Sequence, residues 1–314
     1  MCEIIVPVVT VLNDKEKPDF DENKKVIDFL IGSGVDGILV LGSTGEFTVL
    51  DYEDKLQFAK DYYEYTNGRV DLYLGTNCPS FEETVNLSNE AIKMGYKGAM
   101  VIGPYYYGTD DEKMYIYYNE LAKRVDGNIY IYNFPDRSGY SISSETYAKL
   151  VKENKNIVGL KDSVLDPLHT NGLLRATEEV DTKVYSGFDD QFLYNLSTGG
   201  SGCIGGLGNI VPDIWSDLVN ATRTKDFDRT YKLSNLIHKL MPLYALDSNF
   251  SHLFKRLLKV RGIEISPKSI FPYDQLSDET YNKGREILEN VLSEYDKIKW
   301  LWYNSYDDWR SHGQ

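Results

Sequence analysis

Cysteine, histidine and positive charge are all scarce in this chain of 314 residues. The three cysteines, Cys2, Cys78 and Cys203, form no closely spaced pair and no CxxC. That spacing argues against a disulfide framework and favours a reducing compartment, so a cytoplasmic protein is expected. The four histidines, His169, His238, His252 and His312, lack metal-ligand spacing, and neither a metal nor another cofactor is expected. No run of about 18 apolar residues occurs, so no segment should span a membrane. The opening MCEIIVPVVTVLND lacks the basic start and long apolar stretch of a signal peptide. Lysine and arginine number 34 against 48 aspartates and glutamates, a formal charge of −14. Such a surface repels phosphate backbones and anionic membranes, which argues against both as partners. It leaves a small anionic substrate open, because one pocket can be positive on an acidic protein.

What is present is a repeating pattern. Apolar residues make up 42% and charged residues 26%, ordinary values for a globular chain. Short β-branched or aliphatic runs at residues 4–9, 37–41, 70–75, 98–102, 128–132, 157–161, 183–187 and 202–206 read as eight strands. Their starts lie roughly 20 to 35 residues apart, about one βα unit each. Between them, residues 23–33, 52–65, 81–94, 144–153 and 166–179 carry helical periodicity. Strands alternating with helices imply parallel pairing through right-handed crossovers. Eight units favour an α/β fold of the (β/α)8 TIM barrel type over an open doubly wound sheet. Thr10-Val11-Leu12-Asn13-Asp14, after the first strand, has no dinucleotide-binding glycines. Residues 213–243, 249–260 and 278–301 read as helices. The expectation is therefore a barrel domain over residues 1–225 and a helical C-terminal extension over 226–314. The segment from Trp300 to Gln314 is aromatic and polar without a clear period.

In such barrels chemistry belongs at the C-terminal ends of the strands. After the second strand comes Gly42-Ser43-Thr44-Gly45-Glu46, either a hydroxyl-rich carboxylate cradle or an ordinary tight turn. After the fifth come Tyr132 and, beyond Pro135, Arg137; a strand-end tyrosine can relay protons and an arginine can hold a carboxylate. Taken alone, a proline turn with a surface arginine is the better explanation of the latter. The sixth strand ends in Lys161 beside Asp162. Burial disfavours an ammonium ion, so a lysine there suits attack on a carbonyl; the alternative is a salt bridge at the barrel rim. Gly187, Asp189 and Asp190 follow the seventh strand and either receive substrate hydroxyls or cap a helix. Gly205 follows the eighth and either admits a ligand or eases packing. The anion loop, the tyrosine and the lysine together suit Schiff-base chemistry on a 2-keto acid.

With GSTGE at 42–46, PYYY at 104–107, YNFP at 132–135 and GLKDS at 159–163, the chain resembles the dihydrodipicolinate synthase / N-acetylneuraminate lyase family of pyruvate-dependent class I aldolases. The resemblance covers about residues 3 to 295. It implies that Lys161 forms the imine, Tyr132 shuttles protons, and Ser43 and Thr44, with Gly42, hold the keto-acid carboxylate. It implies that Tyr106 reaches a neighbouring subunit's site in a homodimer or homotetramer. Pyruvate or another 2-keto acid and an aldehyde would be the small-molecule partners.

Subfamily signals divide. Arg137 in P-x-R-S-G resembles the arginine by which dihydrodipicolinate synthases hold aspartate semialdehyde. The Tyr107-Gly108-Thr109 continuation and Gly187-Phe188-Asp189-Asp190 depart from the synthase pattern, and the extra Phe188, the GSTGEF start and NFP with LKDS resemble lyases of 2-keto-3-deoxy sugar acids and sialic acid. A 2-keto-3-deoxy sugar-acid aldolase is therefore expected first, dihydrodipicolinate synthase second and N-acetylneuraminate lyase third. Tyr52 and Pro79 stand where lysine-regulated synthases carry a histidine and an asparagine. A barrel that binds a keto acid without turnover remains the alternative of another class.

Overall fold

The computed structural model describes residues 2–311. Eight parallel strands form a closed barrel in chain order: β1 (Glu3–Pro7), β2 (Gly37–Val40), β3 (Asp71–Gly75), β4 (Gly98–Ile102), β5 (Ile129–Asn133), β6 (Ile157–Asp162), β7 (Lys183–Ser186) and β8 (Gly202–Ile204). Closure comes from β1 pairing with β8, Ile4 opposite Cys203. The helices between them are α1 (Phe20–Gly32), α2 (Tyr52–Thr66), α3 (Phe81–Met94), α4 (Asp111–Arg124), the single turn α5 (Pro135–Ser138), α6 (Ser144–Glu153), α7 (Pro167–Ala176) and α8 (Phe192–Ser197). Then follow α9 (Pro212–Arg223), α10 (Phe227–Leu240), α11 (Phe250–Leu257) and α12 (Asp278–Ser311). The (β/α)8 barrel with a helical extension is thus the observed fold.

Local chemistry explains the repeat. Loops leading into helices end in a side chain that accepts the first free amides, as helix N-termini require. Asp19, Asp51, Ser80, Asp110, Ser143 and Asp226 each accept from the backbone N–H three residues on. The strands are buried on both faces, as parallel strands between a core and a helical ring must be. Inside the barrel, the Tyr73 and Tyr130 rings meet edge to face at 5.4 Å, and Tyr185 lies 6.5 Å beyond Tyr130. A Cβ on Gly159 would come within 2.6 Å of the Tyr130 ring, so the missing side chain makes room for it. Tyr185 donates to Glu3 at 2.6 Å. This aromatic layer fills the lower barrel and leaves the upper strand ends to form a site.

Three expectations change. α4 forms where the sequence shows no clear helical period, because Tyr115 and Tyr117 blur the stripe of Met114, Tyr118, Leu121 and Ala122 that it buries. The span 213–243 is two helices, broken at residues 224–226 where Lys225 turns to a φ of +60°. The aperiodic segment after Trp300 continues α12 to Ser311, and the remainder expected with it, residues 312–314, lies outside the described residues. The domain boundary expected at residue 225 falls in the turn after α9, yet the core does not divide there. Leu233, Leu253 and Leu288 of the extension belong to the same apolar cluster as Ile4, Val26 and Trp215 of the barrel. No helix among the described residues is long and apolar enough to cross a membrane.

Candidate active site

Adjacent strands set the centre of the site. β5 and β6 pair with Tyr132 opposite Lys161 and Asn133 opposite Asp162. Successive side chains on a strand point to opposite faces, so one pair enters the barrel and the other faces the helices. Lys161 is 4% exposed, and its ammonium lies 4.3 Å from the centre of the Tyr132 ring. No described carboxylate lies within ion-pair distance of it, which removes the rim salt bridge expected as the alternative. Asp162 turns the other way and accepts from Asn133, Thr170 and His169 at 2.7 to 2.9 Å.

Tyr132 stacks on Phe134 at 5.6 Å and lines a small cavity with Gly42, Ser43 and Met100. Above it opens a cleft of about 390 Å³. Ser43 belongs to both spaces, so the hydroxyl loop joins the cleft to the barrel interior. Thr44, also expected in the cradle, is buried in the same 3-10 turn, which spans Ser43–Gly45. Arg137 lines the cleft from α5, lies over the Phe134 ring and has no carboxylate partner among the described residues. Tyr105 also lines it, whereas Tyr106 is 90% exposed and stands outside this chain's cleft with a φ of +80°. That left-handed backbone is uncommon for a bulky residue and costs energy unless something fixes it.

The residues after β7 and β8 behave differently from expectation. Asp189 does not offer its carboxylate to the cleft. It is buried, accepts from Tyr244 at 2.6 Å and from the Leu207 amide at 3.2 Å, and burial pushes its carboxyl up to about 6. Asp190 is half-buried and is not among the cleft's walls. A Cβ on Gly205 would come within 2.3 Å of Asp189, and one on Gly187 within 2.0 Å of Ser163. Both glycines therefore serve close packing, the second of the two readings open for Gly205. Gly42 alone of these glycines borders an open space.

Several contributors lie outside the side chains expected to bind or react. Glu46 closes the hydroxyl loop with a left-handed φ of +56° and is 6% exposed. It accepts from Lys255 at 2.6 Å, from Ser269 at 3.1 Å and from the Ile270 amide at 3.2 Å. Lys255 also donates to the Thr10 carbonyl at 3.2 Å and to the Lys268 carbonyl. Burial pulls the Lys255 ammonium below the usual lysine range, and the Glu46 carboxylate opposes that pull. Ser248, Asn249 and Ser251 of the C-terminal region form the cleft's far wall. Asn209 binds the Val9 amide and the Pro7 and Gly206 carbonyls, sealing the seam between the first and last strands. Among the described residues no cluster of histidine, cysteine or carboxylate could hold a metal ion.

A buried amine without a carboxylate partner, a tyrosine beside it and a polar cleft above are the parts of a carbonyl-handling site. Comparisons with known proteins bear on the family. The model of the Dihydrodipicolinate synthetase family matches residues 1–291. The chain is 30% identical over 287 residues to the "Probable 2-dehydro-3-deoxy-D-pentonate aldolase YjhH" of Escherichia coli (strain K12), covering 91% of this chain and 95% of that one. The crystal structure of YagE, a prophage protein of the dihydrodipicolinic acid synthase family from E. coli K12 in complex with pyruvate, superposes with a TM-score of 0.89. Identity there is 27%, with 93% of this chain and 98% of that one covered. Dihydrodipicolinate synthase from Aquifex aeolicus superposes with a TM-score of 0.86 at 28% identity, covering 94% and 98%.

Proposed function

The chain belongs to the dihydrodipicolinate synthetase family, and from that premise we propose that it is a Schiff-base aldolase acting on 2-keto-3-deoxy sugar acids. It is a lyase of this family; the substrate and the covalent mechanism are our reading. The carrying observation is the Lys161 amine, 4% exposed against Tyr132 and free of any described carboxylate partner.

The proposed chemistry follows from that placement. The amine of Lys161 attacks the C2 carbonyl of the keto acid, and loss of water leaves a protonated imine. Tyr132 gives its phenolic proton to the oxygen that leaves as water in that step, and the resulting phenolate takes the proton of the C4 hydroxyl as the C3–C4 bond breaks. The aldehyde leaves, and the electron pair of that bond passes into the imine, giving the enamine of pyruvate. Protonation at C3 and hydrolysis then release pyruvate and restore the amine. Ser43 and Thr44 hold the carboxylate. Ser248, Asn249 and Ser251 are placed to meet the hydroxyls of the departing aldehyde. Tyr106, exposed and held in a left-handed conformation, reaches the site of a second copy in an oligomer.

Arg137 supports a second reading. An exposed guanidinium in the cleft without a described partner suits a second carboxylate, as condensation of pyruvate with aspartate semialdehyde would supply. Pyruvate release from 2-keto-3-deoxy-pentonate and 2-keto-3-deoxy-gluconate, measured beside pyruvate consumption with aspartate semialdehyde, separates the two. Turnover of the sugar acids with none of the semialdehyde is expected; the reverse would replace the proposal with the synthase reading. Tyr132→Phe keeps the ring beside Lys161 but removes the proton carrier. Its kcat should fall by about 10² to 10⁴ with KM little changed, the usual scale of a positioned acid–base group. Steady-state kinetics checks this.

A further inference from the structure

Behind the Lys161–Tyr132 pair, on the helix-facing side of the same two strands, lies a polar network that the proposed chemistry does not use. Asn133 donates to Asp162 Oδ1 at 2.8 Å, and its own amide oxygen accepts from the Ile142 N–H at 3.0 Å. Asp162 is fully buried, and its Oδ2 faces Thr170 Oγ1 at 2.7 Å and His169 Nδ1 at 2.9 Å. The other ring nitrogen of His169 lies 2.9 Å from the Ile142 carbonyl and 3.2 Å from Ser141 Oγ. A carboxylate and a backbone carbonyl can only accept. A neutral ring protonated at Nδ1 serves Asp162 and can accept from the Ser141 hydroxyl at 3.2 Å, but it turns its Nε2 lone pair toward the nearer Ile142 carbonyl at 2.9 Å. The imidazolium satisfies both oxygen acceptors at once.

We propose that His169 and Asp162 form a buried imidazolium–carboxylate clamp that holds the tips of β5 and β6 together and so positions Lys161 against Tyr132. The clamp residues follow the reacting ones by a single position: Asn133 after Tyr132, and Asp162 after Lys161. A shift of Asp162 therefore moves Lys161 directly, and the pairing between the strands carries it to Tyr132. His169 and Asp162 touch no substrate in this scheme; they are positioning residues, and their role rests on the aldolase reading.

The charged groups that face His169 are Asp162 on β6 and Asp166, the N-cap of α7. From the segment before α6 come the Ser141 hydroxyl and the Ile142 carbonyl. Burial on its own disfavours the charged ring, but the bond to Asp162 and its charge outweigh burial, so His169 holds its proton above the ordinary value of 6.5. A raised histidine contributes its stabilisation fully below its unfolded value, and the contribution is lost as pH rises through the folded value. The clamp is accordingly closed below that raised value and opens as pH rises through it.

The test uses the intact chain. Its four histidines make a ring-nitrogen NMR titration tractable, with His169 assigned by its loss in His169→Gln. The clamp requires a midpoint above 6.5, with both ring nitrogens protonated below it. A midpoint at or below 6.5, or a ring singly protonated below its midpoint, overturns it. The second arm measures borohydride trapping of pyruvate across pH. His169→Gln should slow trapping by about 10- to 100-fold, the scale of a misplaced reacting group, and should lose the alkaline decline that tracks the histidine in the wild type. Asp162→Asn should lower the His169 midpoint and slow trapping alike, and it serves if His169→Gln does not fold. Trapping at the wild-type rate in a folded variant overturns the positioning role. An adduct absent from the wild type itself overturns the aldolase reading instead, while the NMR titration still decides the charge state of the pair.

Discussion

Lys161→Ala is expected to lower kcat by at least about 10⁴-fold while leaving the fold intact. The size follows from chemistry rather than packing. Without the amine there is no imine, and without the imine no electron sink for the breaking C–C bond, so the remaining groups act on an unactivated ketone. The side chain makes no hydrogen bond or ion pair among the described residues, so its removal should cost little stability. Lys161→Arg retains the charge and should be as inactive, because a guanidinium does not give up its proton to become a nucleophile. Keto acid should still bind reversibly to both variants through the hydroxyl loop. A protein that only binds a keto acid would behave otherwise: each substitution would shift affinity, and no turnover would exist to lose. Kinetics and thermal melts of the two variants separate the accounts.

The second large effect concerns stability. Lys255→Met should cost about 3 to 5 kcal/mol, because it strands the Glu46 carboxylate in a buried site. Both side chains are almost wholly inaccessible, at 0% and 4% exposure. The Ser269 hydroxyl and the Ile270 amide still donate to Glu46 in that variant, but no cation remains. The double variant Glu46→Gln with Lys255→Met should regain most of the loss, since a neutral amide at residue 46 needs no counter-charge. Denaturant unfolding of the two single variants and the double one closes the cycle. Activity should fall further than stability in Lys255→Met. Glu46 ends the loop that begins with Gly42 and Ser43, so its displacement moves the carboxylate cradle. An additive cycle, with the double variant as unstable as the sum of the singles, would show that the pair does not act as a unit.

These two sites differ in how far the sequence discloses them. Lys161 is legible because it interrupts an apolar strand at the end where barrel chemistry sits, and because Tyr132 and the hydroxyl loop stand at the same end of two other strands, β5 and β2. The same periodicity exposes the barrel, since each unit repeats an apolar strand, a polar break and a helix, most of these helices capped by a side chain. Lys255 is not legible. Its partner is 209 residues away, and nothing in the composition of α11 separates a buried lysine from a solvated one. The Tyr244–Asp189 bond spans 55 residues and was hidden for the same reason, which is why Asp189 read as a ligand for substrate hydroxyls. His169 looks like a lone histidine near the start of an amphipathic helix until the fold brings Asp162 and Ile142 to its two nitrogens. The far wall of the cleft has no local signal, because Ser248 and Asn249 sit in an irregular connection before α11, far from any strand end. Periodic local signals thus reveal the strand ends, and contacts between distant segments complete the site.

The most direct test of the account is borohydride reduction in the presence of pyruvate, followed by peptide mapping of the modified residue by mass spectrometry. The account predicts a single stoichiometric adduct on Lys161, abolished in Lys161→Ala. No adduct on folded protein at saturating pyruvate, or one spread over surface lysines, would contradict it.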